Sequence, residues 1–136
     1  MILGIGTDLL CLKRLFLLHT RHPDRLEKLA RRILAQPEFE EWTSFSNQNA
    51  SVLGQRIKFL GVRWAVKEAT YKALYPTLKP SWKDLVISKP AGTPKPQLSI
   101  FQHSPLFPSA LSLRLHLSIT HDADLISAFV VCEHAH

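Results

Sequence analysis

The chain opens on MILGIGTDLL, apolar and β-prone with two glycines. A period of two places Ile2, Gly4, Gly6 and Asp8 on one face of a predicted strand, with Asp8 near its end. From Leu12 to Ala35 the apolar positions Leu15, Leu18, Leu26, Leu29 and Ile33 recur at helical intervals. They are interrupted at RHPD, where Pro23 suits the first turn of a second helix, so two short helices are expected. The polar run SFSNQNAS reads as a loop or helix cap leading into a long helix, roughly Ser51 to Leu74. YPTLKPSW is a proline-broken connector, and KDLVIS and PQLSIF are short strands joined by KPAGTPK as a hairpin-like loop. QHSPLFPSA reads as a loop with a short helical turn. LSLRLHLSIT then alternates as a half-buried strand, and LISAFVVCE is the last strand, with HDAD as the turn between them and His121 and Asp122 at a sheet end. Helices and strands are segregated and no repeat is present, so the pattern predicts one α+β domain over residues 1–136, a long helix packed on an antiparallel sheet.

Composition agrees with one compact unit: 136 residues, 46% apolar and 21% charged, with no apolar run long enough for a membrane span. Seventeen Lys and Arg against eleven Asp and Glu give a net charge of +6, which favours an acidic partner: nucleic acid, a phosphate-bearing ligand or an acidic protein. Much of that surplus lies on the polar side of the two short helices. There Lys13, Arg14, Arg21, Arg25, Lys28, Arg31 and Arg32 oppose only Asp24 and Glu27, either as a solvated face or as a docking surface. Cys11 and Cys132 lack metal-ligand spacing and no secretory leader is evident, so unpaired thiols in a reducing compartment are expected. The histidines of the CEHAH tail read as a solvated terminus.

The densest chemistry lies in KFLGVRWAVKEATYKAL, residues 58–74. Glu68 and Lys72 are four apart, which by itself describes an ordinary helix-surface ion pair. Trp64 is one turn earlier, and Ala65, Ala69 and Ala73 form a small-residue stripe that lets another backbone come close. Asp8 alone reads as a strand end or helix cap, and His121 alone as a turn residue. Together they allow something sharper. A hard Mg²⁺ ion takes one or two protein carboxylates and completes its shell with water and substrate phosphate, and Asp8 and Glu68 could be those carboxylates. Lys72, Lys67 and Arg63 would neutralise further phosphate charge, and His121 would bond a phosphate or move a proton.

GIGTDLL, FLGVRWAVKEATYKAL and LSITHD, in this order and in a chain of this size, resemble the three motifs of the holo-acyl-carrier-protein synthases, the short phosphopantetheinyl transferases. The resemblance runs through nearly the whole chain and is carried most by W-x-x-K-E-A-x-x-K following G-x-G-x-D. It implies an Mg²⁺-dependent transferase of fatty acid biosynthesis. Such an enzyme moves the phosphopantetheine arm of coenzyme A onto a serine of an acyl carrier protein and leaves adenosine 3',5'-bisphosphate. It further implies Asp8 and Glu68 as Mg²⁺ ligands, with Glu68 as base, directly or through a water. Lys72 and Arg63 would then lie on coenzyme A phosphates, with His121 in the same cleft and Arg56 as a further cationic candidate. A trimer with sites between protomers is implied too, His121 of one chain facing Asp8 and Glu68 of the next, and Arg14 and Arg21 meeting the acidic carrier.

The chain departs from the pattern after Leu74, where Tyr75 and Pro76 stand in place of a glycine-rich loop. That glycine-poor loop looks more like fungal mitochondrial relatives, and with the arginine-rich, acid-poor segment after Lys13 it points to mitochondria, or to the cytoplasm for a bacterial chain. Two rival readings are a basic RNA-binding α+β module without catalysis and a purely structural oligomer. The first leaves Asp8 and Glu68 idle and lacks aromatic stacking positions for bases, and the second accounts only for the alanine stripe.

Overall fold

The structure is a computed structural model that describes residues 1–45 and 50–135. Residues 46–49 of the expected SFSNQNAS loop, and residue 136 of the tail, lie outside the described residues. Strand β1 (Ile2–Cys11) leads into helices α1 (Lys13–Arg21), α2 (Pro23–Ile33) and α3 (Gln36–Ser44), and then the 25-residue helix α4 (Ala50–Leu74). A 3₁₀ turn (Trp82–Asp84) precedes β2 (Leu85–Ser88) and β3 (Gln97–Ile100). A short helix α5 (Phe107–Ala110), β4 (Leu113–Asp122) and β5 (Leu125–His134) complete the chain. The α+β expectation holds. β1, β5 and β4 form one antiparallel sheet in that order, and β2 and β3 pair as a separate hairpin.

Period-two alternation divides the three-stranded sheet into two unlike faces. Leu10, Leu117, Ile126, Ala128, Val130 and Cys132 are buried against α4, with Leu60, Ala65, Ala69 and Ala73 opposite them. The alanine stripe does what small residues permit. At Gly6 an added Cβ would lie 1.8 Å from the carbonyl oxygen of Ala69, and at Gly4 2.0 Å from that of Ala73. The β1 and α4 backbones are therefore in direct contact, and only glycine fits on the strand side. The outer face is different: Ile2, Ile5, Leu9, Leu125 and Phe129 are 43% to 64% exposed, Ile2 being moved there from the expected Gly4–Gly6–Asp8 face by the register shift between Ile2 and Gly4.

The two short helices follow the sequence expectation, with Pro23 at the start of α2 and Leu15, Leu26, Ala30 and Ile33 buried. Full burial of a leucine is worth about 1.5–3 kcal/mol, so Leu15 and Leu26 each help to hold their helix against the body. The helix α3 was not anticipated. Its buried residues are Glu38 and Trp42, one of them charged, so no apolar periodicity marks it. In the β2–β3 loop, the Thr93 N–H donates to the Pro90 carbonyl at 3.1 Å and Gly92 has φ +80°, the positive angle that the third position of a type II turn needs. The β4–β5 turn is tighter than HDAD suggests: Asp122 pairs with Leu125, leaving Ala123 and Asp124 as a two-residue loop with Ala123 at φ +49°. His121 and Asp122 thus belong to β4, at its end. Both cysteines are unpaired, as expected.

Candidate active site

The glycine contacts bring the end of β1 over α4 at the level of Asp8, and there the side chains rearrange. The i,i+4 pairing of Glu68 with Lys72 does not form. The Lys72 ammonium crosses to β1, donating to the Thr7 carbonyl at 2.8 Å and lying 3.4 Å from Asp8 Oδ1. Glu68, half-buried one turn earlier, is left with no hydrogen-bond or ion-pair partner among the described residues. On a helix of 3.6 residues per turn, Lys72 and Glu68 share the flank beside the β1-facing stripe, so Glu68 lies one helical turn from the Lys72–Asp8 contact.

That donor set suits a hard divalent cation: two carboxylates, one without any partner and one with a single cation at 3.4 Å. A site that keeps most of its shell for water and phosphate needs no third protein ligand, and none of the described residues forms a cluster of three or more metal-type ligands.

Other expected residues lie elsewhere. Arg56, Arg63 and Lys67 occupy the helix face roughly opposite the alanine stripe. Lys67 is fully buried, and its three N–H donors reach the Ile33 carbonyl at 2.7 Å, the Trp82 carbonyl at 3.0 Å and Glu38. All three are taken, so its expected share in neutralising phosphate becomes a structural role. Burial holds its ammonium below the usual lysine range, although Glu38 pulls the other way. Arg63 sits over the Phe59 ring, with Glu38 at 3.8 Å and Glu41 at 4.0 Å. Arg56 stacks on Trp42 and pairs with Glu27, which also accepts the Trp42 indole N–H at 3.0 Å. Burial alone would raise the Glu27 pKa, but the bonds from Trp42 and Arg56 outweigh it and hold it below its ordinary value.

Sequence reasoning missed Glu38, the hub of this arrangement. Its carboxylate accepts from the Ala35 and Ile87 backbone N–H groups, both at 3.0 Å, as well as from Lys67, tying α3 to α4 and β2. Removing one partner of such a pair costs about 3–5 kcal/mol. The sole signal was an acid three residues after a potential helix start, where it can accept the N-cap N–H.

His121 is exposed at the end of β4. Asp8 faces Ala128, which faces Ile119, so His121 is two strands across and two residues along from Asp8. At ~4.8 Å per strand and ~3.4 Å per residue the Cα separation is about 12 Å, beyond hydrogen-bond reach within one chain. Arg14 and Arg21 are exposed on α1 without acidic partners among the described residues, lining a groove with Leu17, Leu18 and Arg25. The Arg14 guanidinium lies 5.3 Å from the ring centre of Trp64, one turn before Glu68, so this basic groove adjoins the carboxylate site.

The profile of the ACPS family, described as the 4'-phosphopantetheinyl transferase superfamily, matches residues 4–130. A holo-[acyl-carrier-protein] synthase of Methylibium petroleiphilum is 34% identical over 137 residues, covering 98% of this chain and 97% of that protein. Among solved structures, the holo-[acyl-carrier-protein] synthase of Neisseria meningitidis superposes with a TM-score of 0.73 at 30% identity, over 98% of this chain and 99% of that one. The holo-(acyl-carrier-protein) synthase of Bacillus anthracis, in complex with CoA (3',5'-ADP), gives 0.71 at 26% identity over 99% of both chains.

Proposed function

The chain belongs to the holo-[acyl-carrier-protein] synthases of the 4'-phosphopantetheinyl transferase superfamily, and from that premise we propose a division of labour among Asp8, Glu68 and Lys72. The protein transfers the phosphopantetheine group of coenzyme A to a serine of an acyl carrier protein. The serine oxygen attacks the β-phosphorus of the coenzyme A pyrophosphate, the bond to the bridging oxygen breaks, and adenosine 3',5'-bisphosphate leaves. The observation that carries the assignment is the crossing of Lys72 to β1, which leaves the half-buried Glu68 carboxylate unpaired.

Asp8 and Glu68 would hold Mg²⁺, which when bound supplies positive charge against the pyrophosphate. Glu68 accepts the serine proton, because a hydroxyl is a poor nucleophile until it loses that proton. Lys72, fixed by the Thr7 carbonyl and already beside Asp8, is placed to offset charge on the departing phosphate. Arg14 and Arg21 dock the acidic carrier, and the contact of Arg14 with Trp64 supports delivery of the serine to the Glu68 flank.

We further propose a homotrimer in which His121 completes a neighbour's site. Two facts support it: His121 lies beyond reach of its own Asp8, and the outer sheet face leaves Ile2, Ile5, Leu9, Leu125 and Phe129 uncovered. A mitochondrial location is proposed on the glycine-poor end of α4, and cell fractionation checks it. The chemistry is tested by mass spectrometry of apo carrier protein incubated with the enzyme, coenzyme A and Mg²⁺, with and without chelator. One added phosphopantetheine per carrier is expected, with loss of transfer on chelation; transfer undiminished by chelation would remove the metal from the scheme.

A further inference from the structure

Arg31 stands six residues after Arg25 on α2 and about 120° away around the helix, so it faces away from the basic groove beside α1. It opens onto a separate cavity of about 470 Å³, whose floor is Leu34, Phe39 and Phe101 and whose exposed rim is Arg31, Gln36 and Lys83. The floor is held in place: Leu34 is buried, the Arg31 guanidinium lies 5.7 Å from the Phe39 ring centre, and His103 meets the Phe101 ring edge-on with centroids 5.2 Å apart. No acid lines this cavity, and Lys83 has no acidic partner among the described residues. The charge of Arg31 is answered only in part, by the Glu27 carboxylate whose pKa it helps to lower.

We propose that this cavity binds an amphiphilic carboxylate, a short unbranched apolar chain laid on Leu34, Phe39 and Phe101 with its acid group held at the rim by Arg31 and Lys83. Its volume falls within the range of small-ligand clefts, about 300–1,000 Å³, which combine apolar walls with a few polar groups that fix orientation. A polyphosphate would leave the apolar floor unused, and a neutral hydrocarbon would leave both cations unused. An extended polypeptide is a poorer occupant, because strand-like recognition needs free main-chain groups. The N–H groups of all three floor residues already donate within the chain, Leu34 to Ala30 at 2.9 Å, Phe39 to Ala35 at 2.8 Å and Phe101 to Asp84 at 2.7 Å. None of the six residues lines the cavity that Glu68 shares with Tyr71 and Trp82, so the site stands apart from the transfer chemistry.

The test is calorimetric titration of wild type and the Arg31→Met/Lys83→Met double variant with hexanoate, octanoate and 1-octanol. Both side chains are exposed, and methionine keeps the apolar stem while removing the charge. Octanoate is expected to bind wild type saturably with a Kd below about 1 mM, and each methylene between hexanoate and octanoate should tighten binding about 2- to 4-fold. The double variant should weaken octanoate about 2- to 30-fold and leave the weaker binding of octanol unchanged. Saturating coenzyme A should not displace octanoate. No saturable octanoate binding in folded wild type, equal octanoate affinity in the double variant, octanol binding as tightly as octanoate, or displacement by coenzyme A each overturns the proposal. If octanoate fails while an acidic leucine-rich peptide binds wild type and not the double variant, the occupant is a polypeptide and the proposal falls.

Discussion

Replacing Gly6 by alanine adds one methyl group at the place where strand and helix backbones touch. The new carbon would stand 1.8 Å from the Ala69 carbonyl oxygen and 2.8 Å from the Ala73 nitrogen. A comfortable carbon–oxygen contact is about 3.2 Å or more, so the strand must lift by roughly 1.4 Å or the helix must bend. Neither neighbour is a side-chain tip that could swing aside. Overpacking of this kind costs about 1–3 kcal/mol and sometimes more. At the upper end, with unfolding entropy near 2.1 cal/mol/K per residue, a chain of 136 residues loses about 10 °C in Tm. Function should suffer more than stability does. Asp8 is two residues farther along the same strand, and a displacement of about 1 Å in an aligned site can reduce turnover about 100-fold. Differential scanning calorimetry and carrier-loading kinetics measure both effects. Gly54→Ala is the control: nothing lies within 4 Å of its added carbon, so it should be neutral or stabilise the helix by up to about 1 kcal/mol. Wild-type Tm and turnover in Gly6→Ala would mean that the β1–α4 contact is not as close as described, and the placement of Asp8 would fall with it.

Asp8→Ala and Glu68→Ala should each abolish transfer with circular dichroism unchanged, and substantial turnover in either folded variant would relocate the metal ligands. Mixed after verified subunit exchange, inactive Glu68→Ala and His121→Ala chains should recover part of the activity, since one interface in a mixed trimer retains both residues; no recovery would return the site to a single chain. Reversing Arg14 and Arg21 to Glu should raise the KM for carrier protein far more than that for coenzyme A and remove most of the salt dependence seen as the Debye length shrinks from about 10 Å to about 3 Å. An unchanged carrier KM would make α1 an ordinary solvated face. The acid limb of stability should report Glu27, whose pKa lies below its ordinary 4.5. Its carboxylate binds protons more readily unfolded, so its contribution is present above about pH 4.5 and disappears as pH falls through the folded value. Tm measured from pH 3 to 7 should show a shallower acid decline in Glu27→Gln, and an identical slope would place the acid sensitivity elsewhere.

Much of this molecule is legible in the chain because its signals are local. Period-two runs mark β1, β4 and β5, helical spacing and Pro23 mark α1 and α2, and the first two motifs bring Asp8, Glu68 and Lys72 forward as candidates. Even the alanine stripe of α4 announces a close backbone neighbour. Helix α3 was hidden for an equally local reason: its fully buried positions are a glutamate and a tryptophan, and a buried glutamate is invisible to a reading that equates charge with solvent.

What the tertiary structure decided is which partner each charge takes. On one helix Glu68 and Lys72 look like a pair. The arrival of β1 gives Lys72 a carbonyl and a second carboxylate to reach, and Glu68 is left without a partner among the described residues. Lys67 and Arg63, equally cationic in sequence, lie on the opposite helix face, where α3 brings Glu38 as their partner. Residue types and spacing fix what a side chain can do and which face of its own element it occupies. Coulomb and hydrogen-bond energies depend on distance and desolvation, and those were set only when elements tens of residues apart in sequence packed together.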